Sequence, residues 1–189
     1  MSVNLFRGQK VRLTAPHSLA EAETMARWTH DSEFSRLLEV GANRPLSAPD
    51  LIERYSDFKP EVAVDNFLFF LRPLAEETFL GFITLEDIRW RNGEAWVGIG
   101  LGERAYWGRG YGTEAMRLIS RYAFAELGLH RLSLTVFDYN PRAIRSYQKA
   151  GFAEEGRLRG YVARDGRRWD LVFMGLLREE WERNVKPEA

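Results

Sequence analysis

The stretch Tyr106-Trp107-Gly108-Arg109-Gly110-Tyr111-Gly112-Thr113-Glu114-Ala115 joins an apolar, strand-like run (Ala95 to Leu101) to a helical run (Thr113 to Leu127). Three alternating glycines precede the helix. Glycine tolerates positive φ and carries no side chain to hold a ligand away from the backbone. Such a turn presents a row of N–H groups at the positive end of a helix, which suits a phosphate or pyrophosphate. An ordinary glycine-rich strand-to-helix turn reads the same way on the glycines alone. No Gly-Lys-Ser/Thr follows, so this is not a Walker loop, and the spacing is not that of a G-x-G-x-x-G dinucleotide turn.

Working outward, 189 residues suffice for one domain with a substantial core. A hydrophobic share of 45% and a charged share of 29% fit a globular chain. The net charge is zero but uneven: residues 1–100 carry 11 basic against 15 acidic side chains, and residues 101–189 carry 16 against 12. The basic half suits a polyanionic ligand and the acidic half a cationic one. No basic tract with interleaved aromatics indicates nucleic-acid binding. The absence of cysteine excludes disulfides, thiolate nucleophiles and Cys-based metal sites. His17, His30 and His130 are scattered, so no metal is expected. No run of about 18 apolar residues predicts a membrane span, and Met1 to Lys10 has no apolar leader core. The expected address is cytoplasmic, with no membrane partner.

Gln9 to Leu13 predicts a first strand. Ser18-Leu19-Ala20-Glu21 has the form of a capping box opening a helix to about Asp31, with Met25, Trp28 and Thr29 on its apolar face. Residues 32–47 read as irregular, and Pro49 to Asp57 as a second helix with Ile52 and Tyr55 inward. Strands follow at Asn66 to Pro73 and Phe79 to Asp87. After a hairpin turn at Arg91-Asn92-Gly93 comes another at Glu94 to Leu101. Beyond the glycine turn and its helix the order is strand (Arg131 to Phe137), helix (Pro141 to Ala150), strand (Phe152 onward) and strand (Trp169 to Leu177). Arg164 to Arg167 marks the last turn, and the chain frays from about Asn184. Antiparallel strands followed by β-α-β-α-β predict one α/β domain with a mixed sheet flanked by helices.

The segment Asn140-Pro141-Arg142-Ala143-Ile144-Arg145-Ser146-Tyr147-Gln148-Lys149-Ala150-Gly151-Phe152 is a well-marked short helix. Asn140 is its N-cap, Pro141 lies in its first turn and Gly151 sits just past its end. Ala143, Ile144, Tyr147 and Ala150 share one face. A cap accounts for Asn140 alone, and a core aromatic for Tyr147 alone.

Together these two segments resemble the GCN5-related N-acetyltransferase (GNAT) family. Trp107-Gly108-Arg109-Gly110-Tyr111-Gly112 matches both glycine positions of its Gln/Arg-x-x-Gly-x-Gly/Ala pyrophosphate loop. Trp107 departs from the usual Gln/Arg, but Tyr-Trp-Gly-x-Gly-Tyr is similar to the RimJ/RimL-like, ribosomal-protein acetyltransferase branch. Asn140, Ala143, Tyr147, Gly151 and Phe152 match that branch's Asn-x-x-Ala-x-x-x-Tyr-x-x-x-Gly-Phe, and Tyr161, Asp165, Gly166 and Asp170 resemble its ending. The resemblance runs from about Gln9 to Trp181 and is strongest from Ala95 on.

It implies a single N-acetyltransferase domain over residues 1–189, with an ordered core over about 9–181 and a splayed, mostly antiparallel central sheet. It implies acetyl-CoA as cosubstrate and direct acetyl transfer to a primary amine: a protein or peptide N-terminus, a polyamine or another small amine. The N–H groups of Arg109, Gly110, Tyr111, Gly112 and Thr113 are expected at the pyrophosphate. Arg104 or Arg109 would add a cation there, and Arg142 would join the cofactor contacts; solvated surface arginines read the same way. Ile99, Gly100 and Leu101 would bond the pantetheine arm, Gly98 and Gly100 allowing close approach unless they mark a bulge. Asn140 would hold the arm's sulfur end.

Tyr147 would place its hydroxyl at the thioester sulfur. With a thiol near pKa 8.5 and a tyrosine near about 10, hydrogen-bond donation is its main expected role. Trp96 stands where close relatives often carry the basic Glu. Glu86 and Asp87, or a water chain, are the remaining candidates for the base, and either carboxylate also reads as a solvated strand end. Adjacent strand residues face opposite ways, so at most one points into the cleft. Trp28, Phe34, Glu39, Tyr55 and Phe58 are expected to wall the acceptor. The resemblance further suggests a homodimer. A non-catalytic CoA-binding sensor is the alternative; it needs no Tyr147.

Overall fold

The computed structural model describes residues 4–16, 19–55 and 65–185. Among them, seven strands form one sheet: β1 (Val11–Thr14), β2 (Phe67–Pro73), β3 (Gly81–Arg89), β4 (Glu94–Leu101), β5 (Arg131–Phe137), β6 (Ala153–Arg164) and β7 (Arg167–Leu177). The spatial order is β1-β2-β3-β4-β5-β7-β6. Every neighbouring pair is antiparallel except β4 and β5, which run parallel. The sheet is therefore mixed and mostly antiparallel, as expected. Asp165 and Gly166 both take positive φ at the last hairpin, the geometry a two-residue turn between twisted strands demands.

Helices cover both faces. The first three are α1 (Leu19–Thr29), α2 (Ser32–Leu38) and α3 (Ala48–Arg54); the others are α4 (Tyr111–Arg121), α5 (Pro141–Ala150) and α6 (Arg178–Val185). On one face Ala115, Met116, Leu118 and Ile119 of α4 bury against Leu71, Ile83, Leu85, Val97, Leu132 and Leu134. On the other, Met25, Trp28, Phe34 and Leu51 from the first three helices meet Leu68, Phe70, Phe79 and Phe82. Alternate residues of β2 thus serve opposite cores, which is why Phe67 to Leu71 reads as an unbroken apolar run. Each fully buried aliphatic side chain contributes about 1.5–3 kcal/mol.

The structure corrects the sequence reading in several places. Residues 32–38, read as irregular, form α2, because the Asp31 carboxylate caps it by accepting from the N–H of Glu33 (3.0 Å) and Phe34 (3.3 Å). A seven-residue helix is too short to show periodicity. In α3 the capping box is Ser47 with Asp50, and this phase turns Leu51 inward while Ile52 is 46% exposed. The expected inward Ile52 was therefore one residue out of register. Arg178–Val185, for which the sequence reading gave no element, forms α6, with Trp181 against the Phe124 ring at 5.4 Å, and residues 186–189 lie outside the described residues. The helix after the glycine turn begins at Tyr111 and ends in a π-type stretch, Tyr122–Glu126, where the Leu127 N–H reaches the Tyr122 carbonyl. Arg178 donates to the carbonyls of Phe124 and Leu129 there. Ser18, Asp57 and Phe58 lie outside the described residues.

Gly102, just past β4, packs directly under the Trp28 indole, and a Cβ there would overlap the ring. Gly102→Ala is expected to destabilise the fold by about 1–3 kcal/mol through overpacking. Urea unfolding with an unchanged midpoint would contradict that packing.

Candidate active site

β4 and β5 pair only over Glu94, Ala95 and Trp96 against Arg131, Leu132 and Ser133. Beyond that point β4 follows β3 as far as Leu101, and β5 follows β7 as far as Phe137, so the two diverge. The Gly102 N–H bonds the Leu80 carbonyl and the Gly93 carbonyl accepts from Arg131, so even-numbered residues of β4 face β3 and odd-numbered ones face β5. The Ile99 amide groups and the Leu101 N–H therefore point into the gap without a ladder partner. The Leu101 carbonyl accepts from Trp107 Nε1 at 2.7 Å.

A cleft of about 290 Å³ fills the gap. Ile99, Gly100 and Leu101 form one wall; Gly108, Gly110, Tyr111, Gly112 and Thr113 form the second. Asn140, Arg142, Ala143, Ser146 and Tyr147 of α5 form the third, and Phe34 and Leu38 of α2 close one end. Gly110, with φ 89°, is the N-cap of α4. The first bond of that helix runs from the Glu114 N–H to the Gly110 carbonyl, leaving the N–H groups of Tyr111, Gly112 and Thr113 free. A Cβ at Gly108 would meet nothing within 4 Å, so glycine is not required there by crowding from the protein. Its positive φ of 73° is what favours it.

Asn140 is buried, and the cap expected of it is present. Its Oδ1 accepts from the Ala143 N–H at 3.1 Å as the cap of α5, and the residue also lines the cleft. Tyr147 packs against the main core with Ala143, Ile144 and Ala150 while lining the cleft. Among the described residues none bonds its hydroxyl, and loss of solvent pushes its pKa up to about 12. The hydroxyl is thus a neutral donor at neutral pH. Thr113 Oγ1 and Ser146 Oγ, 2.8 Å apart, tie α4 to α5 across the cleft floor.

The cations divide. Arg142 stacks on Trp107, its guanidinium carbon 3.8 Å from the ring centroid, and desolvation lowers its pKa below the usual arginine value. Arg109 is exposed at the loop, and its carbonyl accepts from Lys10 Nζ at 3.1 Å. Arg104 lies outside the cleft lining. It donates to Asp31 at 2.6 and 2.7 Å and pairs with Glu33 at 2.6 Å, the Arg104 bond holding the Asp31 carboxyl below its ordinary range. Three cations went unnoticed in the sequence. Arg145 and Lys149 line the cleft, on the same α5 face as Arg142 by helical spacing. Lys10, 99 residues from its partner, carried no local signal.

The two carboxylates also separate. Glu86 accepts from Thr84 Oγ1 at 2.6 Å on the sheet face that carries Gly98 and Gly100, and a Cβ at Gly98 would stand 3.1 Å from its Oε1. Asp87 takes positive φ (49°) in a bulge, exposed, and pairs with Arg89 at 3.2 Å. Neither lines the cleft. Trp96 is half-exposed, edge-on to Phe173. Trp28, Phe34, Glu39 and Tyr55 line a second cavity of about 450 Å³, which shares Phe34 and Leu38 with the first.

Residues 10–153 match the model of the acetyltransferase (GNAT) domain. An uncharacterised N-acetyltransferase, p20 of Bacillus licheniformis, is 28% identical over 164 residues, covering 86% of this chain and 90% of the relative. The prophage-derived N-acetyltransferase YokL of Bacillus subtilis is 27% identical over 186 residues, covering 97% and 99%. A spermidine N-acetyltransferase from Vibrio cholerae, solved with CoA and spermine, superposes with a TM-score of 0.80 at 20% identity, covering 93% of this chain and all of that one. At that identity the likeness is one of fold.

The raised Tyr147 pKa makes a stability prediction. Below pH 10 the hydroxyl is protonated in both folded and unfolded chains; from 10 to about 12 only the unfolded chain ionises. Stability should fall over that window, and Tyr147→Phe should remove on the order of 2 kcal/mol of the fall. Urea unfolding of both proteins from pH 9 to 12 checks this; parallel curves would contradict it.

Proposed function

The chain belongs to the GNAT acetyltransferase family, and from that premise we propose that it moves an acetyl group from acetyl-CoA directly to a primary amine, using the cleft between β4 and α5. One coincidence carries this reading. Free N–H groups at a helix start, an unpaired strand edge and an unpartnered tyrosine hydroxyl line the same cleft. Each suits a different part of one long ligand: a pyrophosphate, an amide-bearing arm and a sulfur leaving group. The Tyr-Trp-Gly-x-Gly-Tyr turn supports a place in the RimJ/RimL-like branch.

In the proposed mechanism the N–H groups of Tyr111, Gly112 and Thr113 hold the pyrophosphate, with Arg109, Lys10, Arg145 and Lys149 supplying positive potential. Arg142, held flat on Trp107, gives a further cation at the loop. Ile99 and Leu101 bond the pantetheine arm as a missing strand would, and Asn140 holds its end. Acetyl-CoA supplies the thioester whose carbonyl the neutral amine attacks, forming the C–N bond and breaking the C–S bond. Tyr147 donates its hydroxyl hydrogen bond to the sulfur as that atom gains charge. With a pKa near 12 it stabilises the thiolate more readily than it protonates it. The proton lost by the amine leaves through water toward Glu86, which stands on the acceptor-side face of the sheet, whereas Asp87 is bound to Arg89.

Thiol release from acetyl-CoA across a panel of amines tests the activity. Tyr147→Phe should lower kcat by about 10- to 100-fold, the worth of one hydrogen bond to a charged group, with little change in KM for acetyl-CoA. An unchanged kcat would remove the hydroxyl from the mechanism. Gly110→Val puts a branched side chain at the N-cap of α4, where φ is 89°. Calorimetry should find CoA binding lost while far-UV circular dichroism is retained; undiminished binding would show that the loop does not hold the pyrophosphate.

A further inference from the structure

The second cavity lies between α1, α2 and α3, and Met25, Trp28, Phe34, Leu51, Tyr55 and Phe82 form its floor. Its volume is within the roughly 300–1,000 Å³ of small-molecule sites. It adjoins the transfer cleft, and the Phe82 and Phe34 rings of its floor pack against Gly100 of the cleft wall, where a Cβ would stand 2.7 and 3.5 Å from them. Phe34 and Leu38 belong to both walls. Among the described residues only these two side chains are common to the cavity and the cleft, so a group seated in the cavity lies next to the transfer cleft across Phe34 and Leu38.

The charges on its rim are largely satisfied by the protein. Glu39 pairs with Arg54, and Asp50 accepts from the Ser47 N–H at 2.8 Å while capping α3. Arg44 adds a second cation to the rim, and among the described residues only Glu53 of the three rim carboxylates lacks a partner. A linear polycation needs a row of uncommitted carboxylates to replace its water. Among the described residues this cavity offers a wide aromatic floor and one such group. Resting on the acetyl-transfer reading above, we infer that the acceptor is a monoamine with an apolar or aromatic body. That body sits on Trp28, Phe34, Tyr55 and Phe82, and the amine reaches the transfer cleft past Phe34 and Leu38, the side chains common to both.

Calorimetry on the CoA-loaded protein, with phenethylamine and spermidine as probes, tests this without turnover; steady-state assays with acetyl-CoA test it with turnover. Phenethylamine should bind more tightly and show a kcat/KM at least about tenfold above spermidine, as expected for burying a phenyl ring. Leu46→Asp, in the cavity wall and away from the cleft, should weaken phenethylamine binding about tenfold and leave acetyl-CoA affinity unchanged. That unchanged affinity also reports an intact fold; if the variant misfolds, the wild-type comparison of the two amines still decides. Tighter binding of spermidine, no binding of phenethylamine, or indifference of a folded Leu46→Asp variant would overturn the assignment. Failure of the wild type to bind acetyl-CoA would instead overturn the parent reading.

Discussion

The divergence of β4 from β5 beyond Trp96 and Ser133 is the constraint on which the rest of the molecule depends. A strand edge inside a sheet normally finds its partner in the next strand, because an unbonded amide out of water is costly. Here β3 pairs with β4 up to Leu101 and β7 with β5 up to Phe137, so each strand is held on one side while the seam between them is not closed. Its floor is sealed by the Thr113–Ser146 contact, and its outer end by the Trp107 indole on the Leu101 carbonyl. What stays unbonded is a short row of amide groups facing a cleft of ligand size. In the proposed mechanism it is this edge that the pantetheine arm would pair with as a strand.

Structural and chemical duties coincide at several positions for the same reason. Asn140 caps α5 with one side-chain atom and lines the cleft as well. Tyr147 contributes its ring to the core and its hydroxyl to the cleft. Gly110 ends the loop in a conformation that other residues resist, which exposes the first N–H groups of α4. Trp107 replaces a usual polar residue, yet its indole binds a carbonyl and its ring carries Arg142 and Arg104. The aromatic side chain thereby arranges cations around the loop.

The parts of the fold legible in the sequence were those with sharp local punctuation. α5 begins at Pro141, directly after its Asn140 cap, and ends before Gly151; β4 and β5 run over the residues their patterns indicated. The illegible parts were short or stabilised from a distance. α2 depends on one Asp31 side chain that is itself held by Arg104, 73 residues away. α6 gains its hold from Arg178 reaching the carbonyls of Phe124 and Leu129, and the phase of α3 turns on a cap at Ser47 that periodicity misses by one residue. The candidate site divides in the same way: its glycines, Asn140 and Tyr147 were visible, while Lys10, the Arg54 partner of Glu39 and the cavity beside Phe34 were not.

By itself, then, the sequence determined the order of elements, the glycine turn and the α5 signature, because each rests on backbone preferences acting over a few residues. Only the tertiary structure decided how far β4 and β5 stay paired and that Glu86 shares a face with Gly98 while Asp87 turns to Arg89. It alone brought the first three helices around a second cavity that shares Phe34 and Leu38 with the transfer cleft. Those outcomes depend on contacts between residues tens of positions apart, where packing and charge pairing choose among arrangements that local propensity leaves equal.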